Sequence, residues 1–92
     1  MRNPIAQDRF DCGWNDIAHG INHWTVSELY SSPMAWVIRM RGIAESCKLS
    51  AAPHNLSHYN GVIAACDHYQ ENGEISPRTR RSVVEINELS AV

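Results

Sequence analysis

Apolar residues recur every three or four positions along most of this chain, which is the spacing of one face of an α-helix. The most clearly bounded of these runs lies between Ser32 and Lys48. Ser32 is a good N-cap, and Pro33 suits the first helical position, where its missing N–H costs nothing. The apolar face consists of Trp36, Val37, Met40, Ile43, Ala44 and Cys47. We predict that this is the central helix of a small domain and that other helices lie across its apolar face.

A first helix is predicted from Asn3-Pro4 onwards, where asparagine can cap and proline can begin it. Its apolar face consists of Ala6, Phe10, Trp14, Ile17, Ile21 and Trp24. Gly13 and Gly20 each weaken a helix by about 1 kcal/mol relative to alanine, so we expect an end or a kink near Gly20. A capping box over residues 25–28 then predicts a short helix that runs through Tyr30.

Two further helices are predicted after a connector at residues 50–53. The first ends at Asn72-Gly73, where either residue can adopt the left-handed cap conformation. Its apolar face consists of Leu56, Tyr59, Val62, Ile63, Cys66 and Tyr69. The last helix begins at Ser76-Pro77 and extends to residue 89. The sequence therefore predicts an all-α fold, a single helical domain over residues 1–92 built as a bundle of four principal helices plus one short helix.

Composition and charge narrow the classes of function. A chain of 92 residues with 43% apolar and 20% charged residues is typical of one globular domain. The net charge of −2 argues against a general nucleic-acid coat or a polybasic membrane binder. The longest apolar run, residues 33–38, is far shorter than the roughly 20 residues that span a bilayer. We expect no membrane association.

The N-terminal residues and the pattern of cysteines indicate the cellular compartment of the protein. No apolar segment of signal-peptide type follows Met1. Cys12, Cys47 and Cys66 are odd in number and widely spaced, which suits reduced thiols better than a disulfide framework. We therefore expect a cytoplasmic protein.

Five histidines and three cysteines raise the hypothesis of a metal site. His19 and His23 are separated by four residues, the spacing at which helical histidines chelate zinc, and Cys12 and Asp16 lie along the same side. No second ligand pair completes a zinc motif. Our expectation is therefore no metal and no cofactor, and Asp16, His19 and His23 are the candidate ligands of the alternative.

A second histidine face is formed by His54, His58 and His68. This face is turned away from the apolar stripe of its helix, so we interpret these side chains as solvated surface histidines. Neither a cysteine–histidine pair nor a pair of catalytic carboxylates can be assigned from the spacing. We predict that the protein is not an enzyme and has no catalytic residues.

Three arginines, Arg78, Arg80 and Arg81, occupy the first turns of the predicted last helix. The positive end of the helix dipole favours negative charge there, so an anion would compensate this arrangement. A phosphate of nucleic acid or the carboxylates of a partner protein would serve. The alternative is that Arg81 pairs with Glu85 and the other two are solvated.

The same region has a helix that includes residues 62–70, a turn at residues 71–75, and a helix over residues 76–89 that begins Ser-Pro-Arg-Thr. This arrangement resembles the second half of a helix-turn-helix. The recognition helices of bacterial regulators often begin Ser-x-x-Thr, with arginines that face the DNA groove. The resemblance implies a DNA-binding regulator that uses the last helix.

A second apolar patch, Met34 and Ile38, lies off the main face of the central helix, beside Arg39 and Arg41. Methionine, tryptophan and arginine are enriched in protein–protein interfaces, although the first helix could instead cover this patch. We therefore expect a small accessory or regulatory protein that binds and modulates a larger protein or complex. In style it resembles the accessory proteins and inhibitors of phages and mobile elements. DNA binding is the first alternative and metal binding the second.

Overall fold

The computed structural model describes residues 4–23 and 30–78, which form three α-helices. They are α1 (Pro4–His23), α2 (Pro33–Lys48) and α3 (Pro53–Asn72). The described residues contain no strand, so the all-α class is confirmed. The count of four principal helices plus one short helix is not confirmed. Residues 25–29 of the predicted short helix, and residues 79–89 of the predicted last helix, lie outside the described residues.

The helix boundaries follow the signals in the sequence. The Ser32 hydroxyl accepts a hydrogen bond from the Ala35 N–H at 3.2 Å, which caps the start of α2. Helix α3 ends at Gly73, whose φ of 74° is in the left-handed region, and the Gly73 N–H donates to the Tyr69 carbonyl at 2.7 Å. The predicted start at Ser32-Pro33 and the predicted stop at Asn72-Gly73 are confirmed.

The central element is α3, because both α1 and α2 pack along it. The prediction that α2 is central is therefore wrong. The middle of α3 has small residues on several sides, so two helices can approach it, whereas α2 buries a narrower face and leaves Ile43 exposed. The buried core draws on all three helices and the segment after them: Trp14, Ile17, Ala18, Trp36, Val37, Ala44, Val62, Ala65, Cys66 and Ile75.

Two glycines set the close crossing of α1 and α3. A Cβ atom on Gly13 would overlap the His58 carbonyl and lie 3.0 Å from the Val62 nitrogen. A Cβ atom on Gly61 would overlap the Phe10 carbonyl oxygen and lie 2.8 Å from its carbonyl carbon. Each glycine thus lets the backbone of the other helix approach to a distance that any side chain would prevent.

Gly20 has a comparable role toward α2. A Cβ atom there would lie 2.8 Å from Cζ3 of the Trp36 ring, so the indole packs directly on the glycine. Helix α1 continues past Gly20 to His23, three residues beyond the glycine near which an end or a kink was expected. The packing of Trp36 and the α3 crossing compensate the weak helix propensity of the glycines in α1.

Residues 75–78, which we call the 75–78 strap, follow α3 as a non-helical segment and return along α1. Ile75 is buried in the core, and its carbonyl accepts a hydrogen bond from the Asn22 amide at 3.1 Å. The Trp14 indole N–H donates to the Ser76 carbonyl at 2.9 Å. The predicted last helix was to start with Ser76 as its cap and Pro77 as its first residue. Residues 77 and 78 are not helical, so this start is not confirmed.

Candidate functional site

Two hydrogen bonds between the Asn15 side chain and the Arg78 backbone hold the 75–78 strap against α1. The Asn15 side-chain amide donates to the Arg78 carbonyl at 2.8 Å and accepts from the Arg78 N–H at 2.7 Å. Asn15 is buried, and this pairing satisfies both ends of its amide. The strap is thus an integral part of the packed structure up to Arg78.

The Arg78 side chain, predicted to bind an anion or a partner, interacts within the chain. Its Nη1 atom donates to the Asp11 carboxylate at 3.2 Å. The guanidinium carbon lies 4.5 Å from the centroid of the Trp14 ring and 5.1 Å from that of Phe10, which are cation–π contacts. Arg80 and Arg81 lie outside the described residues, so the predicted three-arginine cluster is not seen as a unit.

Arg41 also interacts within the chain. Its Nε donates to the Asp67 carboxylate of α3 at 2.7 Å, and its Nη1 lies 3.3 Å from Glu45 one turn away on α2. The hydrogen bond to Asp67, reinforced by its charge, raises the pKa of Arg41. Arg41 therefore joins α2 to α3, and its guanidinium is engaged within the chain.

We define the outer face of α2 as the exposed residues Ile38, Arg39, Gly42 and Glu45 together with Leu49, the C-cap residue of this helix. Ile38 is 58% exposed and Leu49 is 90% exposed, the two highest exposures among the large apolar side chains of the described residues. Positions 38, 42, 45 and 49 are spaced four, three and four residues apart, so they form one seam about 16 Å long. Met34, also predicted to contact a partner, is half-buried.

Gly42 lies in the middle of this seam. The other glycines of the described helices each meet a neighbouring helix closely, but a Cβ atom on Gly42 would meet no atom of the described residues within 4 Å. A glycine in a helix interior costs about 1 kcal/mol relative to alanine. Within the described residues, no packing contact at Gly42 compensates for this cost.

Three potential metal ligands meet where α1 crosses α3. The Cys12 sulfur, an Asp16 carboxylate oxygen and a His58 ring nitrogen all lie within 4.8 Å of one another. His58 Nε2 is 3.6 Å from Asp16 Oδ2. Asp16 was a candidate ligand of the metal-binding alternative, together with His19 and His23, but the structure places it beside a histidine from a different helix.

The histidines are distributed differently from the prediction. The His19 and His23 rings contact each other edge to face with centroids 6.0 Å apart, and both residues are exposed. His58 and His68 are not fully solvated, since His58 adjoins Asp16 and the His68 ring lies 5.2 Å from that of Trp14. Their interpretation as surface histidines was wrong because α1 covers that side of α3.

A cleft of about 120 Å³ lies between the three helices next to this cluster. Its walls are largely apolar, and Asp16 and His58 supply polar groups at its edge. The other lining residues are Ile17, Trp36, Met40, Ile43, Ala44, Tyr59 and Val62. The cleft explains why Ile43 and Met40, predicted as core, are incompletely buried.

No family model, curated protein or solved structure matches this chain. Among the described helices, none has the length and apolar character needed to cross a membrane. Two features of the described chain are candidates for function: the outer face of α2, and the cluster of Cys12, Asp16 and His58.

Proposed function

We propose that the protein is a non-enzymatic regulator that docks on a larger protein through the outer face of α2. Gly42 is the observation that carries this proposal. In the described structure Gly13, Gly20 and Gly61 each have a neighbouring helix packed closely against them. Gly42 also lies inside a helix, but a Cβ atom there would meet no described atom within 4 Å. A partner that packs against Gly42 accounts for a residue that the described fold does not require.

The proposed partner element is an amphipathic helix. The seam has the four-three-four spacing by which two helices pack side by side, with exposed apolar side chains at Ile38 and Leu49 and a notch at Gly42. The notch permits a close crossing, and the apolar side chains flank it. We therefore expect the partner helix to present apolar side chains on both sides of a close crossing point.

The positive charge of Arg39 on this face indicates which charge the partner helix should carry. Arg39 is exposed and forms no ion pair with any described residue, whereas Glu45 is already paired with Arg41. A carboxylate on the partner helix, placed opposite Arg39, would complete an ion pair that becomes stronger as the interface loses water.

The test is capture of the partner by tagged full-length protein from a lysate of the source cell, with and without nuclease. Ile38→Asp and Gly42→Leu should each abolish capture without unfolding the chain, since both positions are exposed in the described structure. Ile5→Asp is the matched control, because Ile5 is also a half-exposed isoleucine but lies on α1. Circular dichroism of each variant verifies the fold.

The outcomes separate the alternatives. Partner capture that survives Ile38→Asp and Gly42→Leu contradicts docking through this face. Capture that disappears with nuclease favours the DNA-binding alternative, with Arg80 and Arg81 as the next residues to mutate. A purified chain that dimerises in a Gly42-dependent way would show that the face is occupied by a second copy and not by a larger protein.

A further inference from the structure

We propose that Cys12, Asp16 and His58 bind one zinc ion at the crossing of α1 and α3. This site does not depend on the docking proposal, and it departs from the expectation of no metal. It also differs from the predicted ligand set, since only Asp16 is retained. Within the described part of the chain, these three residues are the group whose sulfur, nitrogen and oxygen ligand atoms converge.

The distances suit zinc. With Zn–S near 2.3 Å and Zn–N or Zn–O near 2.0–2.2 Å, a tetrahedral ion holds its ligand atoms about 3.3–3.7 Å apart. The separation of 3.6 Å between His58 Nε2 and Asp16 Oδ2 is already in that range. The Cys12 sulfur lies within 4.8 Å of a ring nitrogen of His58 and of a carboxylate oxygen of Asp16. Closing this gap takes roughly 1 Å of movement, which small side-chain rotations supply.

The backbone beneath the site is fixed by the helix crossing. Gly13 follows Cys12 directly and receives the carbonyl of His58 in close contact. The α3 ligand is therefore held against the α1 turn that contains the other two ligands, Cys12 and Asp16. Sites built on two packed helices keep their ligands in place better than sites on loops.

The set of donor atoms identifies the kind of metal. Thiolate and imidazole are soft or borderline ligands that favour zinc, whereas magnesium and calcium favour sites made entirely of oxygen atoms. Three protein ligands leave a fourth position for water or a small ligand, which is the pattern of zinc sites that are not closed. Asp16 and His58 also border the cleft between the helices, so that fourth ligand has an approach.

The test is calorimetric titration of the reduced full-length chain with zinc chloride, using magnesium chloride as the comparison. We expect one zinc per chain and no binding of magnesium. Cys12→Ser and His58→Gln should each weaken zinc binding at least tenfold. Cys47→Ser and His19→Gln are matched controls, since each removes the same chemical group elsewhere, and both should bind zinc as the parent does.

Two measurements on the unmutated chain keep the proposal testable even where a variant fails to fold. Cobalt(II) substitution should produce thiolate-to-metal charge-transfer absorption. Zinc should protect Cys12, but not Cys47, from alkylation mapped by mass spectrometry. The proposal would be overturned by binding of less than one zinc per chain, by the absence of thiolate-to-metal absorption with cobalt, or by alkylation of Cys12 in the presence of zinc. Binding lost in His19→Gln but kept in His58→Gln would also overturn it, by placing the metal on the predicted α1 pair.

Discussion

Replacing Gly61 with alanine tests the close crossing of α1 and α3, on which the fold and the zinc proposal both depend. On helix propensity alone, alanine should stabilise α3 by about 1 kcal/mol. The structure predicts the opposite result. The new Cβ atom would overlap the carbonyl oxygen of Phe10 and lie 2.8 Å from its carbonyl carbon. Because that neighbour is backbone, no side-chain rotation can relieve the overlap.

The size of the effect follows from the separation the helices must adopt. Carbon atoms prefer about 3.5–4.0 Å, so α1 must move outward by roughly 1 Å, which forfeits a quarter to a half of the affected dispersion energy. Full burial of an aliphatic side chain is worth about 1.5–3 kcal/mol. At the middle of these ranges, three buried side chains such as Ile17, Val62 and Cys66 lose about 2.5 kcal/mol together. After the propensity gain of about 1 kcal/mol, a destabilisation of about 1.5 kcal/mol remains.

Urea and thermal denaturation followed by far-UV circular dichroism measure this change. For a domain of this size, the expected loss lowers the Tm by about 6–12 °C. Gly42→Ala is the matched control, because the described structure leaves open space there, and it should raise stability by about 1 kcal/mol. A Gly61→Ala variant that is as stable as the parent, or is stabilised as Gly42→Ala is, would refute the close crossing.

Two further predictions concern buried groups. Burial raises the pKa of the Cys66 thiol to about 12, so Cys66 should react with a disulfide reagent only after unfolding, whereas Cys12 and Cys47 react in the native protein. Because the Cys66 thiol ionises more easily in the unfolded chain, its contribution to stability is complete below pH 9 and is lost as the pH rises toward 12. The urea midpoint of the parent should therefore fall over this pH range by more than the midpoint of a Cys66→Ala variant. Asn15→Ala leaves the backbone N–H and carbonyl of Arg78 without their partners and should cost about 1–3 kcal/mol. Hydrogen exchange at the Arg78 amide should accelerate, and unchanged exchange would contradict the role assigned to Asn15.

The candidate metal site was only partly predictable from the spacing of residues in the sequence. Asp16 was a candidate because it lies along one helix side with Cys12, His19 and His23, and of these four only Cys12 and Asp16 belong to the cluster. His58 was missed as their partner because its position in α3 gave no sign that α1 would cover that side. Gly13 was interpreted as a weak point of its helix, although it is a contact point between helices.

By itself the sequence determined the helical class and the ends of α2 and α3, because caps, prolines and the 3.6-residue period act over a few neighbouring residues. Only the tertiary structure decided which helix is central, that the 75–78 strap returns along α1, and which donors meet at the crossing. These features depend on how closely two backbones approach. That distance is set by pairs such as Gly13 with His58 and Gly61 with Phe10, which are distant in the chain and whose contact no local pattern records.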